Sequence, residues 1–168
     1  MSGCCSVTTD GTCPIPVSKP GPCPVCGKKG KSVSTLTVKS LVRGHTRVSP
    51  NGSYSFCRTP DCDVVYFSSA ALFRKVDVKV RVGIKEDEDP VPLCYCFDYT
   101  RADVQREMEE LGTPHIPGKI KAEVQAGCCA CEVKNPSGNC CLGDITRAIQ
   151  EVKKGAQAHS TKDVEEVR

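Results

Sequence analysis

Four cysteines in the first half of the chain have the spacing of a closed zinc site. Cys23 and Cys26 form a C-x2-C knuckle followed by Gly27, and Cys57 and Cys62 form a C-x4-C pair further along. Two thiolates separated by two residues fit one edge of a tetrahedron, and a following glycine lets backbone amides turn toward the sulfurs. We expect the residues between the two pairs to supply a β-hairpin. The pattern predicts structural Zn2+ with no open position for catalysis.

A second group of cysteines suits an iron–sulfur cluster. Cys94 and Cys96 form a C-x-C chelate, which is typical of two thiolates that serve one iron. A [2Fe–2S] cluster needs four thiolates, two on each iron. The second pair must then come from the downstream group Cys128, Cys129, Cys131, Cys140 and Cys141. The turn sequence from Asn135 to Gly138 would bring Cys131 back toward Cys141, but spacing alone leaves Cys140 open in place of Cys141, and Cys128 or Cys129 in place of Cys131.

Composition favours metal binding over a large core or disulfides. The 168 residues include 14 cysteines but only 5% aromatic residues and no tryptophan, so little apolar bulk is available for burial. No apolar run reaches the roughly 18–20 residues of a membrane span, and the first residues lack a signal peptide's basic and apolar regions. We therefore expect a cytoplasmic protein, where clustered cysteines bind metals more often than they form disulfides.

Charge divides the chain into two parts. Basic residues predominate in the first half and acidic residues in the second, and the change falls in the stretch KEDEDP that begins at Lys85. The basic residues are scattered without interleaved aromatic residues, so we do not expect nucleic-acid binding. We expect a flexible Cys- and Pro-containing tail over 1–22, a zinc-binding β sub-domain over 23–84, a solvated charged connector over 85–92, a helical [2Fe–2S]-binding sub-domain over 93–155 and a polar tail over 156–168.

Hydrophobic periodicity predicts a β-rich first half. β-Branched residues from Val33 to Val42, short apolar runs at Tyr54–Phe56 and Asp63–Phe67, and strict alternation from Val76 to Val82 all favour strands. Asn-Gly within Ser49–Gly52 favours a turn. Helical spacing replaces this pattern in the second half. It predicts short helices from Thr100 to Gly112, from Pro117 to Gly127 and from about Leu142 to near Gly155.

These motifs together resemble the N-terminal domain of iron–sulfur copper chaperones of the CopZ type, a family of iron–sulfur cluster-binding metallochaperones. The resemblance covers about residues 20–154 and is carried by CPVC, FCRTPDCDVVYF, DVKVRVGIKE, CYC and CEVKNPSGNCC. It implies an α+β fold, in which a small zinc-bound β-rich half precedes a short-helix half similar to bacterioferritin-associated ferredoxin. By motif position it implies Cys94, Cys96, Cys131 and Cys141 as the [2Fe–2S] ligands.

Copper chaperones of this type continue into a small copper-binding domain with its own C-x-x-C, which this sequence lacks. Adjacent Cys4 and Cys5 instead suggest a site for a soft ion such as Cu(I), unless they are spare thiols of the tail. No catalytic triad, Walker loop or dinucleotide fingerprint is present, so we expect a redox-active metal-binding protein and not an enzyme.

The sequence is compatible with three hypotheses of function. The first is a metallochaperone that handles or reduces a soft metal such as copper, with a metal-transporting ATPase or another metal-handling protein as its partner. The second is a ferredoxin-like electron-transfer protein that docks a redox partner and carries no metal cargo. The third is a zinc-ribbon adaptor whose cysteines only build structure.

Overall fold

A computed structural model of the chain describes residues 21–160, with side chains up to Gly155. The first half contains a four-stranded antiparallel sheet in which neighbours along the chain are neighbours in space. Its strands are β1 (Lys31–Val33), β2 (Tyr54–Phe56), β3 (Val64–Phe67) and β4 (Leu72–Arg74). Strands β2 and β3 confirm two of the predicted strands, and both are fully buried. The protein therefore has the expected α+β character with a β-rich first half.

The stretch from Val33 to Val42 is mostly helix, so the strand predicted there is wrong. Helix α1 (Thr35–Leu41) begins after Ser34, whose hydroxyl accepts a hydrogen bond from the Thr37 amide at 3.1 Å. The helix buries one face, including Val38 and Leu41, in the core of the first half. Burial of that face outweighs the modest preference of β-branched residues for strands. The expected antiparallel strand pair between the two cysteine pairs does form, from β1 and β2, but α1 lies in its connection in place of a short turn.

The alternating valines from Val76 to Val82 also do not form the predicted strand. A 3-10 turn occupies Lys75–Asp77, and Val78 makes an isolated bridge to Val42. Val76 is 77% exposed, whereas Val78 and Val82 are buried in the core. The alternation thus correctly indicates the burial of Val78 and Val82 but not of Val76, and this segment adds no strand to the sheet.

The second half is a small helical unit with a two-stranded sheet at its start. Strands β5 (Pro92–Cys94) and β6 (Tyr99–Thr100) precede the helices α2 (Arg101–Leu111), α3 (Ile116–Gln125), α4 (Cys131–Lys134) and α5 (Leu142–Ser160). Thr100 caps α2 in a capping box with Asp103, and Gly112 ends it with φ of 65°, as the sequence predicts. Helix α5 begins at Leu142 as expected but continues past Gly155, so its predicted end is wrong. Within residues 21–160, no helix is both long and apolar enough to cross a bilayer.

The start of the expected solvated connector is packed against the protein, whereas its residues 87–90 are exposed. Lys85 is only 5% exposed, and Glu86 forms ion pairs with Lys75 at 3.1 Å and with Arg81 at 3.0 Å. Asp89 pairs with Arg101 at 3.3 Å. Buried and paired charges follow a specific arrangement of the surrounding chain, which the composition of the stretch does not reveal.

Direct contacts join the two halves. Helix α1 packs against α4, and the buried hydroxyl of Tyr66 donates a hydrogen bond of 2.8 Å to the carbonyl oxygen of Pro136. The hydroxyl of Tyr95 accepts from the Gly83 amide at 2.8 Å and donates to the Arg81 carbonyl at 2.9 Å. The sub-domain limits given above remain predictions, but their cores share an interface.

Candidate metal centres

The structure brings the four cysteines of the first group together. The Sγ atoms of Cys23, Cys26, Cys57 and Cys62 all lie within 4.8 Å of one another. The Cys23 and Cys62 sulfurs are 4.0 Å apart, and the Cys26 and Cys57 sulfurs are 3.6 Å apart. A tetrahedral zinc with Zn–S bonds of about 2.3 Å separates its ligand sulfurs by about 3.8 Å. The arrangement therefore fits the donor set and size of a Cys4 zinc site.

Two tight turns present these thiols. In the first, the Cys23 amide donates to the Lys28 carbonyl and the Gly27 amide donates to the Cys23 carbonyl, with Gly27 at φ of 69°. A glycine adopts that left-handed conformation without the penalty of a Cβ. In the second, Cys57 directly follows β2, and its amide donates to Val65 of β3. The C-x4-C pair thus lies in the loop that connects β2 and β3.

Burial and hydrogen bonds shift the pKa values of Cys62 and Cys26 in opposite directions. Burial raises the pKa of Cys62 to about 12, because a thiolate there is desolvated. The Thr59 hydroxyl lies 3.3 Å from the Cys26 sulfur, and hydrogen bonds from it and from the Lys28 amide lower the pKa of Cys26 to about 6. Cys23, Cys57 and Cys62 are buried beside Val64 and Phe67. Metal binding would offset the cost of holding thiolates in these apolar surroundings.

The second group assembles as two sulfur pairs. The Cys141 thiol donates to the Cys94 sulfur at 2.8 Å, and the Cys96 and Cys131 sulfurs are 3.6 Å apart. Each member of the C-x-C motif therefore contacts a downstream cysteine, whereas the spacing predicts that Cys94 and Cys96 together serve one iron. Elsewhere in residues 21–160, no set of three or more acidic, histidine and cysteine donor atoms converges as the first group does.

The elements of the second half position these four cysteines. Cys94 ends β5, and Cys131 is the first residue of α4. Cys141 directly precedes α5, and its carbonyl accepts from the Asp144 and Ile145 amides in the first turn of that helix. Cys94 and Cys141 are buried in the helical core, whereas Cys96 and Cys131 are half-buried. The two pairs thus span from the core to the protein surface.

Hydrogen bonds and burial shift the pKa values of Cys94, Cys131 and Cys141. The thiol hydrogen bond from Cys141 lowers the pKa of Cys94 to about 6, with help from the Phe97 and Cys96 amides, although burial opposes the shift. That same hydrogen bond and burial raise the pKa of Cys141. Burial raises the pKa of Cys131 to about 12. The amide of Ala130 donates to the Cys96 sulfur at 3.3 Å, which further stabilises negative charge at this site.

The loop between Cys131 and Cys141 folds back on itself through a buried asparagine. The Asn135 side chain accepts from the Ser137 amide at 2.9 Å and donates to the Asn139 carbonyl at 2.8 Å. Gly138 has φ of 67°, and a Cβ built there would lie 3.0 Å from the Thr37 hydroxyl of α1. The predicted turn is confirmed, and contact with the first half fixes its position.

Three other cysteines near this group remain as unassigned thiols. Cys128 and Cys140 are exposed and Cys129 is half-buried. The alternative in which Cys140 replaces Cys141 is not favoured, because Cys141 is the residue that meets Cys94. All eleven cysteines among residues 21–160 are free thiols. Cys4 and Cys5, the predicted soft-metal site, lie outside the described residues.

Sequence reasoning missed several side chains that support the two centres. Thr59 contacts a zinc-site sulfur, and Lys85 contacts the loop that carries it. Tyr66 and Tyr95 join the two halves. Tyr95 stands between Cys94 and Cys96 in the sequence, which alone could have drawn attention to it. Nothing in the local pattern identifies the other three.

Comparisons with known proteins agree on one relationship. The family described as the zinc binding domain of CopZ matches residues 20–79. The copper chaperone CopZ of Archaeoglobus fulgidus is 37% identical over 128 residues, which is 74% of this chain and 60% of that protein. The crystal structure of its N-terminal domain matches with a TM-score of 0.61 at 37% identity, over 75% of this chain and 95% of that domain. The present chain thus spans about 60% of the length of the curated relative.

Proposed function

This chain belongs to the family of CopZ N-terminal domains, and from that premise we propose that it is a non-enzymatic metallochaperone. It holds structural zinc at Cys23, Cys26, Cys57 and Cys62 and a [2Fe–2S] cluster at Cys94, Cys96, Cys131 and Cys141. It handles or reduces a soft metal, and copper is the cargo that the name of the relative suggests.

The observation that carries the proposal is the presence of two differently organised thiol groups in one chain. Four sulfurs converge on one point in the first half. In the second half four sulfurs form two pairs, Cys94 with Cys141 and Cys96 with Cys131. One tetrahedral ion needs the first arrangement, and a cluster with two thiolates on each of two irons needs the second. This difference supports separate donor sets for the zinc and for the cluster.

The burial of the second group supports a redox role. When bound, a [2Fe–2S] cluster supplies one-electron oxidation and reduction. Cys94 and Cys141, which are buried, and Cys96 and Cys131, which are half-buried, would hold it. Amides of Cys96, Phe97 and Ala130 offset the negative charge of the ligand sulfurs. The partial exposure of Cys96 and Cys131 supports exchange of an electron with a partner or a metal ion at the surface.

Cargo binding needs thiolates beyond those of the two centres. Cys128, Cys129 and Cys140 lie in the cysteine-rich segment next to the ligand residues, and Cys4 and Cys5 remain predicted soft-metal ligands. Thiolates prefer Cu(I) among the biological copper states. A one-electron reduction of Cu2+ to Cu+ at such thiols would leave the reduced centre oxidised by one electron. The partner would be a metal-transporting ATPase or another metal-handling protein.

The second candidate is an electron-transfer protein that resembles a ferredoxin and carries no metal cargo. The half-buried Cys96 and Cys131 also favour this function, because electron transfer to a docked protein needs a centre near the surface. This candidate shares both metal centres with the first. Only the tight binding of a soft ion distinguishes the two.

Metal analysis after anaerobic purification tests the shared part of the proposal. We expect a red-brown protein with about two irons, two acid-labile sulfides and one zinc per chain. Reduction should produce an electron paramagnetic resonance signal of a [2Fe–2S] centre. A colourless protein that contains zinc and no iron would contradict the cluster. It would favour the third hypothesis, a zinc-ribbon adaptor whose cysteines only build structure.

Copper titration separates the two candidates. The wild-type chain and the Cys4→Ser/Cys5→Ser variant are titrated anaerobically with Cu(I) against a chromophoric chelator. The metallochaperone predicts one tight site that the double substitution removes. The Cys128→Ser variant tests whether a thiol next to the proposed cluster ligands forms the tight site instead. Absence of a tight site in the wild-type chain would favour electron transfer alone.

A further inference from the structure

A buried lysine from the charged stretch supports the loop that carries half of the zinc ligands. Lys85 is 5% exposed, and its Nζ atom donates to the Cys62 carbonyl at 2.8 Å and to the Thr59 carbonyl at 2.7 Å. Both acceptors belong to the C-x4-C loop. An ammonium group taken out of water is costly unless such acceptors replace its hydration. The position of the Lys85 ammonium group against this loop is therefore specific.

The residues that Lys85 contacts in this loop affect two of the four sulfurs, those of Cys62 and Cys26. Cys62 is itself a zinc ligand in the proposed site, and the Thr59 hydroxyl contacts the Cys26 sulfur at 3.3 Å. The carbonyl of Thr59 is held by Lys85 while its side chain faces Cys26. Lys85 thus fixes one ligand residue directly and orients the hydrogen-bond donor to a second ligand on the opposite knuckle.

Charge gives this contact a second consequence. Four thiolates on Zn2+ leave the site with a net charge of about −2, and three of the four cysteines are buried. A cation in the same buried region lowers the electrostatic cost of that charge. Lys85 has no carboxylate partner in the described part of the chain, where its recorded acceptors are the two loop carbonyls.

Contacts with Lys75 and Arg81 hold the backbone around Lys85 in position. Its own carbonyl accepts from the Lys75 Nζ atom at 3.0 Å, and the next residue, Glu86, pairs with Lys75 and Arg81. The backbone of Lys85 closes a 3-10 turn that begins at Gly83. This segment is therefore ordered by contacts of its own, and it presents the ammonium group to the zinc loop.

We propose that Lys85 is a positioning residue of the zinc centre: it orients the C-x4-C loop through Thr59 and Cys62, and its positive charge stabilises the zinc tetrathiolate. The inference rests on zinc binding at the four cysteines and assigns an additional residue to that site. Residues outside the ligand shell that orient metal ligands commonly change metal affinity by about 10–100-fold when they are substituted.

The test compares zinc affinity in full-length variants by competition with a chromophoric chelator under anaerobic conditions. Lys85→Met keeps the length of the side chain and removes the charge and both hydrogen bonds, and we expect zinc affinity to fall about 10–100-fold. Lys85→Arg keeps a buried donor cation and should restore affinity to within about threefold of wild type. Lys79→Met is the matched control, because Lys79 also donates to a backbone carbonyl, that of Ser40 at 2.8 Å, but lies exposed away from the zinc loop.

Three outcomes would overturn the proposal. Wild-type zinc affinity in Lys85→Met would show that the lysine does not act on the site, and an equal loss in Lys85→Met and Lys85→Arg would show that a cation at this position is not sufficient to stabilise it. If Lys85→Met does not fold, Lys85→Gln replaces it, since an amide keeps one donor without the charge; wild-type affinity in Lys85→Gln would then overturn the role of the charge. A wild-type chain that binds no zinc at all would contradict the zinc site itself, and this result is distinct from the other three.

Discussion

The hydroxyl of Tyr66 donates a hydrogen bond of 2.8 Å to the carbonyl oxygen of Pro136, which lies 70 residues later in the chain. Tyr66 is in the central part of the four-stranded sheet and is 0% exposed. Pro136 is in the loop that connects Cys131 to Cys141. This bond therefore ties the sheet of the zinc-binding half to the loop that carries two of the proposed cluster ligands.

Substitution of Tyr66 by Phe should weaken both the fold and the cluster site. The change removes one buried hydrogen bond and leaves the Pro136 carbonyl without this donor, which costs about 1–3 kcal/mol of unfolding free energy. Tyr54→Phe is the control, because Tyr54 is equally buried but accepts from Ser49 within the first half. We expect both variants to lose stability in chemical denaturation, and only Tyr66→Phe to lose its visible absorbance faster in the presence of an iron chelator. Equal rates of bleaching would argue that the Tyr66–Pro136 bond does not support the loop.

The zinc site should be essential for the first half. Cys57→Ser leaves three thiolates in a region whose core includes Cys23, Cys57 and Cys62. We expect zinc content near zero and a thermal midpoint at least about 10 °C lower, because about 1 kcal/mol corresponds to 2–4 °C for a chain of this size and metal ligation contributes many kcal/mol. Cys128→Ser, at an exposed thiol, should keep zinc and midpoint unchanged. Full zinc content with a native circular dichroism spectrum in Cys57→Ser would contradict the assignment.

The four paired cysteines of the second half should be required for the cluster, and their neighbours should not. Alanine at Cys94, Cys96, Cys131 or Cys141 should remove the visible absorbance, since each leaves one iron with a single protein ligand. Cys140 is exposed while Cys141 faces Cys94 in the core, so the neighbour is poorly placed to substitute. Cys128→Ala and Cys129→Ala should retain the spectrum. Bleaching by Cys129→Ala together with retention in Cys131→Ala would mean that the third ligand is Cys129.

A buried carboxylate should make the second half sensitive to acid. Burial alone would raise the pKa of Glu107, but hydrogen bonds from the Ile116 amide, the Lys119 ammonium and the His115 amide outweigh it and lower the pKa below its usual 4.5. Because the folded-state pKa is depressed, this stabilisation is complete above about pH 4.5 and is lost as the pH falls through the lower folded-state value.

The test of Glu107 compares the wild-type chain with Glu107→Gln. At pH 7 we expect the variant to be about 1–3 kcal/mol less stable. That difference should shrink at pH values below about 4.5, when the wild-type carboxylate is protonated as well. Measuring the difference between the two chains removes the effect of metal loss in acid, which both share. A gap that is independent of pH would show that the Glu107 charge has no role.

The charged stretch should contain one acidic residue that matters for stability and one that does not. Glu86 has a side chain that is 15% exposed and pairs with Lys75 and Arg81, and these partners lower its pKa against the opposing effect of burial. We expect Glu86→Gln to cost about 0.5–1.5 kcal/mol in chemical denaturation. Glu88 is exposed, and Glu88→Gln should be neutral. Equal stability of the two variants would support the solvated connector that the composition predicts.

Local sequence patterns were sufficient for features that depend on neighbouring residues. The C-x2-C and C-x4-C pairs, the strands at Tyr54–Phe56 and Val64–Phe67 and the capped start of α2 at Thr100 were all predictable. In each case the chemistry lies within a few residues: a chelating turn, an apolar run or a side chain that caps its own helix. These features therefore depend mainly on residues that are close together in the sequence.

Features that depend on contacts between residues far apart in the sequence could not be predicted from local patterns. The segment around Val38 has the composition of a strand, yet it is helical because one face is buried against the sheet and α4. Lys85 belongs to a stretch that reads as solvated, yet two carbonyls of the zinc loop enclose its ammonium group. A charge or a β-branched residue has no fixed environment until the chain around it is folded.

By itself the sequence determined which residues can bind metal and that they fall into two groups along the chain. Only the tertiary structure decided how the second group pairs, with Cys94 next to Cys141 and Cys96 next to Cys131, and that Tyr66 and Lys85 support the two centres. The physical reason is the range of the interactions. Chelate spacing is set by a few backbone angles, whereas the meeting of residues dozens of positions apart is set by the packing of α1 against α4 and of α2 and α3 against α5.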